Sequence, residues 1–129
     1  MIIDQVGKDF FSEEGYIQIP GLLNTEILHA AQAEIDRIVQ AARGIEEHDA
    51  VYDLEASHRP DNPRVRRIKT PHLHFPFFEE LARDSAITDP VAELIGEDIR
   101  LYGGKINIKA ANYGAPVEWH QDWAFYPHT

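Results

Sequence analysis

His120 and Asp122 are the residues best suited to chemistry, because an imidazole and a carboxylate stand two positions apart. On a β-strand, residues two apart project from one face, so both side chains could hold the same metal ion. In iron(II) oxygenases such a pair fills two corners of an octahedral face, and a second histidine fills the third. With 7 histidines and 22 acidic residues, a triplet of this kind arises about once by chance. The spacing alone therefore leaves two interpretations, a metal site and an ordinary hydrogen-bonded pair.

The amino-acid composition limits the metal ligands and the binding partners that are possible. The chain has no cysteine, which excludes disulfides, thiolate zinc sites and iron–sulfur clusters, so any metal ligand must be His, Asp or Glu. A formal net charge of -10 disfavours binding to nucleic acid or anionic lipid. No signal peptide opens the chain, and no stretch approaches the roughly 18 apolar residues of a membrane span. We expect one cytoplasmic domain, residues 1–129, acting on a small molecule.

The elements that must position the pair follow an α+β order, with helices first and strands last. Apolar residues at helical spacing predict a long helix that begins at Asn24 or Thr25 and ends before Gly44. Two shorter helices are predicted over residues 76–83 and, after a cap at Asp89, over residues 90–95. Alternating patterns predict strands over residues 16–19, 51–54, 99–101, 106–108 and 117–125, with a loop through most of 45–63.

Two segments far apart in the chain carry a family resemblance. Residues 9–23 contain the runs DFF, GYI and IPGLL ahead of the long helix, and residues 119–128 read WHQDWAFYPH. Together and in this order they resemble the phytanoyl-CoA dioxygenase family of non-heme iron(II), 2-oxoglutarate-dependent oxygenases. The resemblance implies iron(II) held by His120 and Asp122 as catalytic ligands, 2-oxoglutarate as co-substrate and dioxygen as oxidant. It also implies a double-stranded β-helix, the jelly-roll or cupin-like fold.

By position, the resemblance further implies contacts with 2-oxoglutarate. Lys69 lies between the first long helix and the core strands, and Lys105 and Asn107 lie on the strand before the iron motif. On that strand Lys105 and Asn107 share a face. The other interpretation of each lysine is a solvated surface charge. Trp123, beside the iron motif, is expected to line the substrate pocket, although an aromatic residue there can equally belong to the core.

The resemblance also implies that the site is incomplete. The family's third iron ligand and its 2-oxoglutarate-binding arginine lie well downstream of the motif, and His128 is too close along the chain to replace that histidine. We therefore expect an N-terminal portion, inactive alone, whose barrel needs a C-terminal part or another chain. The whole would hydroxylate a small organic or lipid-like substrate, since Asp122 argues against the related halogenases. The alternatives are a non-catalytic cupin-like module that binds a ligand or partner, and a structural fragment whose strands pair with another chain.

Overall fold

A computed structural model describes residues 2–109 and 116–122. The described residues form helices and one small sheet, which confirms the α+β class predicted from the sequence. In chain order the elements are α1 (Gln5–Glu14), α2 (Thr25–Ala41), a 3-10 turn (Ala42–Gly44), β1 (Tyr52–Leu54), β2 (Val65–Lys69), α3 (Pro71–His74), α4 (Pro76–Arg83), α5 (Ser85–Ile95) and β3 (Lys105–Asn107).

The sheet has three antiparallel strands in the order β1-β2-β3. Ile68 in the central strand lies between Tyr52 of β1 and Ile106 of β3. The β1–β2 pair is a local hairpin, whereas α3, α4 and α5 all lie between β2 and β3 along the chain. The sheet therefore joins one local pairing to one long-range pairing.

The hydrophobic core lies between α2 and one face of this sheet. Ile38 and Ile68 are fully buried at its centre, one from the helix and one from the central strand. The other buried members of the cluster are Ala42, Tyr52, Leu54 and Val65. The Tyr52 hydroxyl donates to the Ile38 carbonyl oxygen at 3.0 Å, and burial raises the pKa of this phenol. Helix α2 thus fixes the sheet through apolar contact and one buried hydrogen bond.

Three predicted elements are confirmed almost to the residue. Helix α2 begins after Asn24, whose side-chain oxygen accepts a hydrogen bond from the Ile27 backbone N–H at 2.8 Å. Helix α4 covers Pro76–Arg83 as expected, and β1 falls inside the predicted strand. In each case a local signal, either a cap or an apolar period, is enough to define the element.

Other helices differ from the prediction. Helix α5 begins at Ser85, well before the expected cap at Asp89, because the Asp84 carboxylate accepts from the Ala86 N–H at 2.8 Å and caps it earlier. Pro90 then lies inside the helix and is fully buried, so packing outweighs its missing backbone donor. Helix α1 was not predicted, although Asp4 caps its start and Gly15, at φ 78°, ends it.

Three predicted strands were wrong. Residues 16–19 and 99–101 form no strand, and neither do residues 117–122 of the predicted strand 117–125. Strands need hydrogen bonds from a neighbouring strand, and within 2–109 and 116–122 no neighbour supplies them for these segments. Residues 123–125 lie outside the described part. In that part, too, no helix is both long enough and apolar enough to cross a membrane.

Candidate metal and co-substrate site

The sheet face opposite the core carries charged and amide side chains. Strand alternation places Arg67 and Lys69 of β2 on this face, and the register sets Asn107 opposite Arg67 and Lys105 opposite Lys69. Asp53 of β1 pairs with Arg67 from the other side. Lys105 and Asn107 thus share a face, as the alternation in the sequence indicates.

A chain of polar contacts crosses this face from one edge strand to the other. The Lys69 ammonium lies 3.2 Å from Asp53 Oδ1 and also donates to the Asp49 carbonyl oxygen. The second oxygen of Asp53 lies 3.4 Å from Nη1 of Arg67. Arg67 Nε in turn donates to Asn107 Oδ1 at 3.1 Å. We call these four side chains, from Lys69 through Asp53 and Arg67 to Asn107, the polar chain.

His120 and Asp122 lie in the irregular segment 116–122, and their functional atoms face one another. His120 Nε2 is 3.3 Å from Asp122 Oδ1, while Nδ1 is 2.7 Å from the Glu118 carbonyl oxygen. A carbonyl oxygen can only accept, so Nδ1 carries a proton and donates it. Nε2 faces the Asp122 carboxylate, and either a proton on Nε2 or a metal ion between the two atoms can bridge this contact.

This geometry fits two ligands of one metal ion. Ligand atoms bound at right angles, with metal–ligand bonds of about 2.1 Å, lie about 3.0 Å apart. The Glu118 carbonyl also holds the imidazole in the tautomer that metal ligation through Nε2 requires. No group of three or more His, Cys, Asp or Glu side chains that could hold a metal occurs among the described residues. The described part of this segment therefore offers two candidate ligands, His120 and Asp122.

One cleft brings the two halves of the site together. A cavity of about 420 Å³ is lined by Arg67, Lys105 and Asn107 from the sheet and by His120 and Asp122, together with Val117 and Glu118. Lys69 does not line this cleft, because its ammonium is directed to Asp49 and Asp53. Trp123, expected in the substrate pocket, lies outside the described residues.

Sequence reasoning overlooked Arg67 and Asp53. Arg67 belongs to a basic cluster with Arg64, Arg66 and Lys69, and a cluster of this size is usually a solvated segment. In the structure Arg66 is exposed, whereas Arg67 is partly buried between two partners. Val65 and Ile68 are both buried although they are three positions apart, because the strand pairing shifts register between Asp53 and Leu54. Simple alternation of apolar and polar residues therefore gave no signal for this strand.

Comparison with known proteins assigns a family. The profile described as "Phytanoyl-CoA dioxygenase (PhyH)" matches residues 11–129. The probable alpha-ketoglutarate-dependent hypophosphite dioxygenase of Stutzerimonas stutzeri is 36% identical over 119 residues, which cover 92% of this chain and 41% of that protein. L-Proline trans-4-hydroxylase of Streptomyces griseoviridis is 26% identical over 122 residues, which cover 92% of this chain and 40% of that protein.

The ectoine dioxygenase of Streptomyces avermitilis is 21% identical over 115 residues, covering 88% of this chain and 36% of the relative. No solved structure matches the chain. The chain thus spans about two-fifths of the length of these curated relatives. Since the profile matches nearly all of the residues and one relative exceeds 30% identity over the same extent, this chain belongs to the phytanoyl-CoA dioxygenase family.

Proposed function

We propose that this chain supplies the iron(II)- and 2-oxoglutarate-binding part of a dioxygenase that hydroxylates a small molecule. The observation that carries the proposal is the pair His120 and Asp122, whose Nε2 and Oδ1 atoms face each other at 3.3 Å with the ring tautomer fixed by a backbone carbonyl. Family membership and the names of three relatives support this chemistry. When bound, iron(II) with 2-oxoglutarate would supply the activation of dioxygen.

The side chains have distinct roles in this proposal. His120 and Asp122 hold the metal on one side of the cleft. Lys105, which forms no ion pair within the described residues, and Asn107 donate to the carboxylates of 2-oxoglutarate from the sheet on the other side. Lys69 was also predicted to contact 2-oxoglutarate. Because Lys69 pairs with Asp53, it lies at the end of the polar chain away from Asn107 and supports the chain from there.

We further propose that the third iron ligand and an arginine for 2-oxoglutarate come from a segment outside these 129 residues, which also completes a double-stranded β-helix. The described residues supply two ligands, whereas the proposed iron site needs three from the protein. We expect the 129-residue chain by itself to bind iron(II) weakly and to turn over nothing. Sustained decarboxylation of 2-oxoglutarate by this chain, with no other polypeptide present, would contradict this part of the proposal.

The substrate we propose is small and polar. The relatives are named for hypophosphite, ectoine and proline, which are all small and water-soluble. These names favour such a compound over the lipid-like alternative. The charged and amide side chains that Arg67, Lys105 and Asn107 bring to the cleft support the same choice.

Anaerobic titration with iron(II) and 2-oxoglutarate of the protein that includes the completing segment tests the function. A weak visible charge-transfer band should appear when 2-oxoglutarate chelates the bound iron. His120→Ala and Asp122→Ala should each abolish the band, because a metal face with one donor fewer no longer retains the ion. His74→Ala is the matched control, since His74 is exposed and lies outside the cleft.

The outcomes separate the alternatives. A band in the wild type that survives in the His74 variant and is lost in the other two supports the dioxygenase. Tight binding of a small ligand without any band, in a protein supplied with the completing segment, would favour a non-catalytic cupin-like module. Loss of the band in all three variants would point to general unfolding, which circular dichroism of each variant resolves.

A further inference from the structure

The contact between Arg67 and Asn107 determines how the Asn107 amide is oriented. Arg67 Nε lies 3.1 Å from the amide oxygen, and Nη1 lies 3.4 Å from Asp53 Oδ2. A guanidinium has five N–H donors and no acceptor. The Asn107 atom that faces Arg67 must therefore be oxygen, because the amide nitrogen would place donor against donor.

An amide held by its oxygen presents its nitrogen elsewhere. The two substituents of the amide carbon point in different directions, so the N–H₂ group of Asn107 is turned away from Arg67. Asn107 is exposed and lines the cleft together with Arg67 and Lys105. The β3 side of the cleft therefore offers hydrogen-bond donors, in the same cleft that His120 and Asp122 line.

We propose that Arg67 is a positioning residue: it fixes the Asn107 amide with its N–H₂ group toward the cleft, where that group donates to a carboxylate of 2-oxoglutarate. The choice of ligand rests on the proposed function, whereas the amide orientation rests on the Arg67–Asn107 contact alone. Asp53 holds the other side of the guanidinium, so Arg67 is fixed between two acceptors. A free asparagine could present either atom, and half of its orientations would repel an anion.

An isosteric change at Asn107 tests the direction of the amide. Asn107→Asp keeps an oxygen for Arg67 but replaces the N–H₂ donor with a second, negatively charged acceptor. We expect the dissociation constant for 2-oxoglutarate, measured without oxygen on the iron(II)-loaded protein that includes the completing segment, to rise at least about tenfold, the scale of one lost hydrogen bond to a charged group. Asn62→Asp, an exposed change outside the cleft, controls for the added charge. An unchanged dissociation constant in Asn107→Asp would overturn the proposal.

A double-mutant cycle separates positioning from direct contact. If Arg67 acts through Asn107, Arg67→Met weakens 2-oxoglutarate binding in the wild type but has no further effect in an Asn107→Ala background. Arg67→Lys, which keeps one charged donor, should recover part of the loss. An equal effect of Arg67→Met in both backgrounds would mean that the guanidinium contacts the anion itself, and would overturn the positioning role.

A second readout needs neither iron nor 2-oxoglutarate. The side-chain amide of Asn107 gives its own pair of ¹⁵N–¹H resonances, which should shift in Arg67→Met and move back in Arg67→Lys. Unchanged resonances in Arg67→Met would show that Arg67 does not hold the amide. Wild-type protein that fails to bind 2-oxoglutarate would instead overturn the proposed function and, with it, the ligand assigned here, so the two failures are distinguishable.

Discussion

Ile68 and Arg67 are neighbours on the same strand, and they project from opposite faces of the sheet. Ile68 is fully buried among the aliphatic and aromatic side chains that face α2. Arg67 lies on the other face, with its guanidinium between Asp53 and Asn107. One face is held by removal of apolar surface from water, and the other by a few directed contacts that remain partly hydrated.

This difference separates stability from function within three short strands. Burial of apolar area contributes most of the folding free energy, whereas partly exposed ion pairs contribute little. Substitutions in the polar chain should therefore change the free energy of unfolding only slightly. In our proposal, the polar chain fixes the directions of hydrogen-bond donors in the cleft that His120 and Asp122 also line. Substitutions on the two faces should have correspondingly different effects.

The largest effect is expected from Ile68→Ala on the apolar face. Deleting this fully buried side chain should lower the free energy of unfolding by about 2–5 kcal/mol, because the surroundings collapse only partly into the cavity. Asn107→Ala on the polar face of the neighbouring strand should change it by no more than about 0.5 kcal/mol. Urea unfolding followed by circular dichroism measures both. Equal losses would contradict the division between the faces.

Tyr52→Phe tests a buried hydrogen bond on the apolar side. Removing the hydroxyl that donates to the Ile38 carbonyl should cost about 1 kcal/mol near neutral pH. Burial raises the pKa of Tyr52 above its ordinary value of 10.0, so its stabilising contribution is complete below pH 10 and is lost as the pH rises through the folded-state pKa. The gap between wild type and Tyr52→Phe should therefore narrow in alkaline buffer. An unchanged gap would mean that folding does not shift the pKa of the phenol, and a gap that widens would mean that folding lowers it.

The smallest effect is expected from Asp53→Asn at the centre of the polar chain. Its carboxylate pairs with Lys69 and Arg67 while partly exposed, so solvent screening keeps the loss below about 1 kcal/mol. The difference from wild type should shrink in about 1 M salt, where the screening length is about 3 Å. Stability measured at low and high ionic strength tests this, and a salt-independent loss would instead indicate that Asp53 acts through packing.

Local signals made part of this fold predictable. The period of apolar residues and the Asn24 cap defined α2, and the His120–Asp122 spacing brought attention to a pair that the structure does bring together. The prediction of a strand at that pair was wrong, because alternation indicates a strand only where a partner exists. Arg67 was overlooked for a different reason. Its position depends on pairing with Asn107, 40 positions away, and no local pattern contains that pairing.

Helices α3, α4 and α5 between β2 and β3 have a kinetic consequence. Closing a long loop costs chain entropy, and this cost precedes the stabilisation gained from the strand pairing. Contacts between residues distant in sequence therefore form late. We expect the β1–β2 hairpin to dock on α2 first and β3 to join last. The contact between Arg67 and Asn107 spans this final junction. The anion-binding side chains of β3 would then be in place only when folding is complete. A partly folded chain that lacks β3 in the sheet could keep its hydrophobic core and still fail to bind the co-substrate.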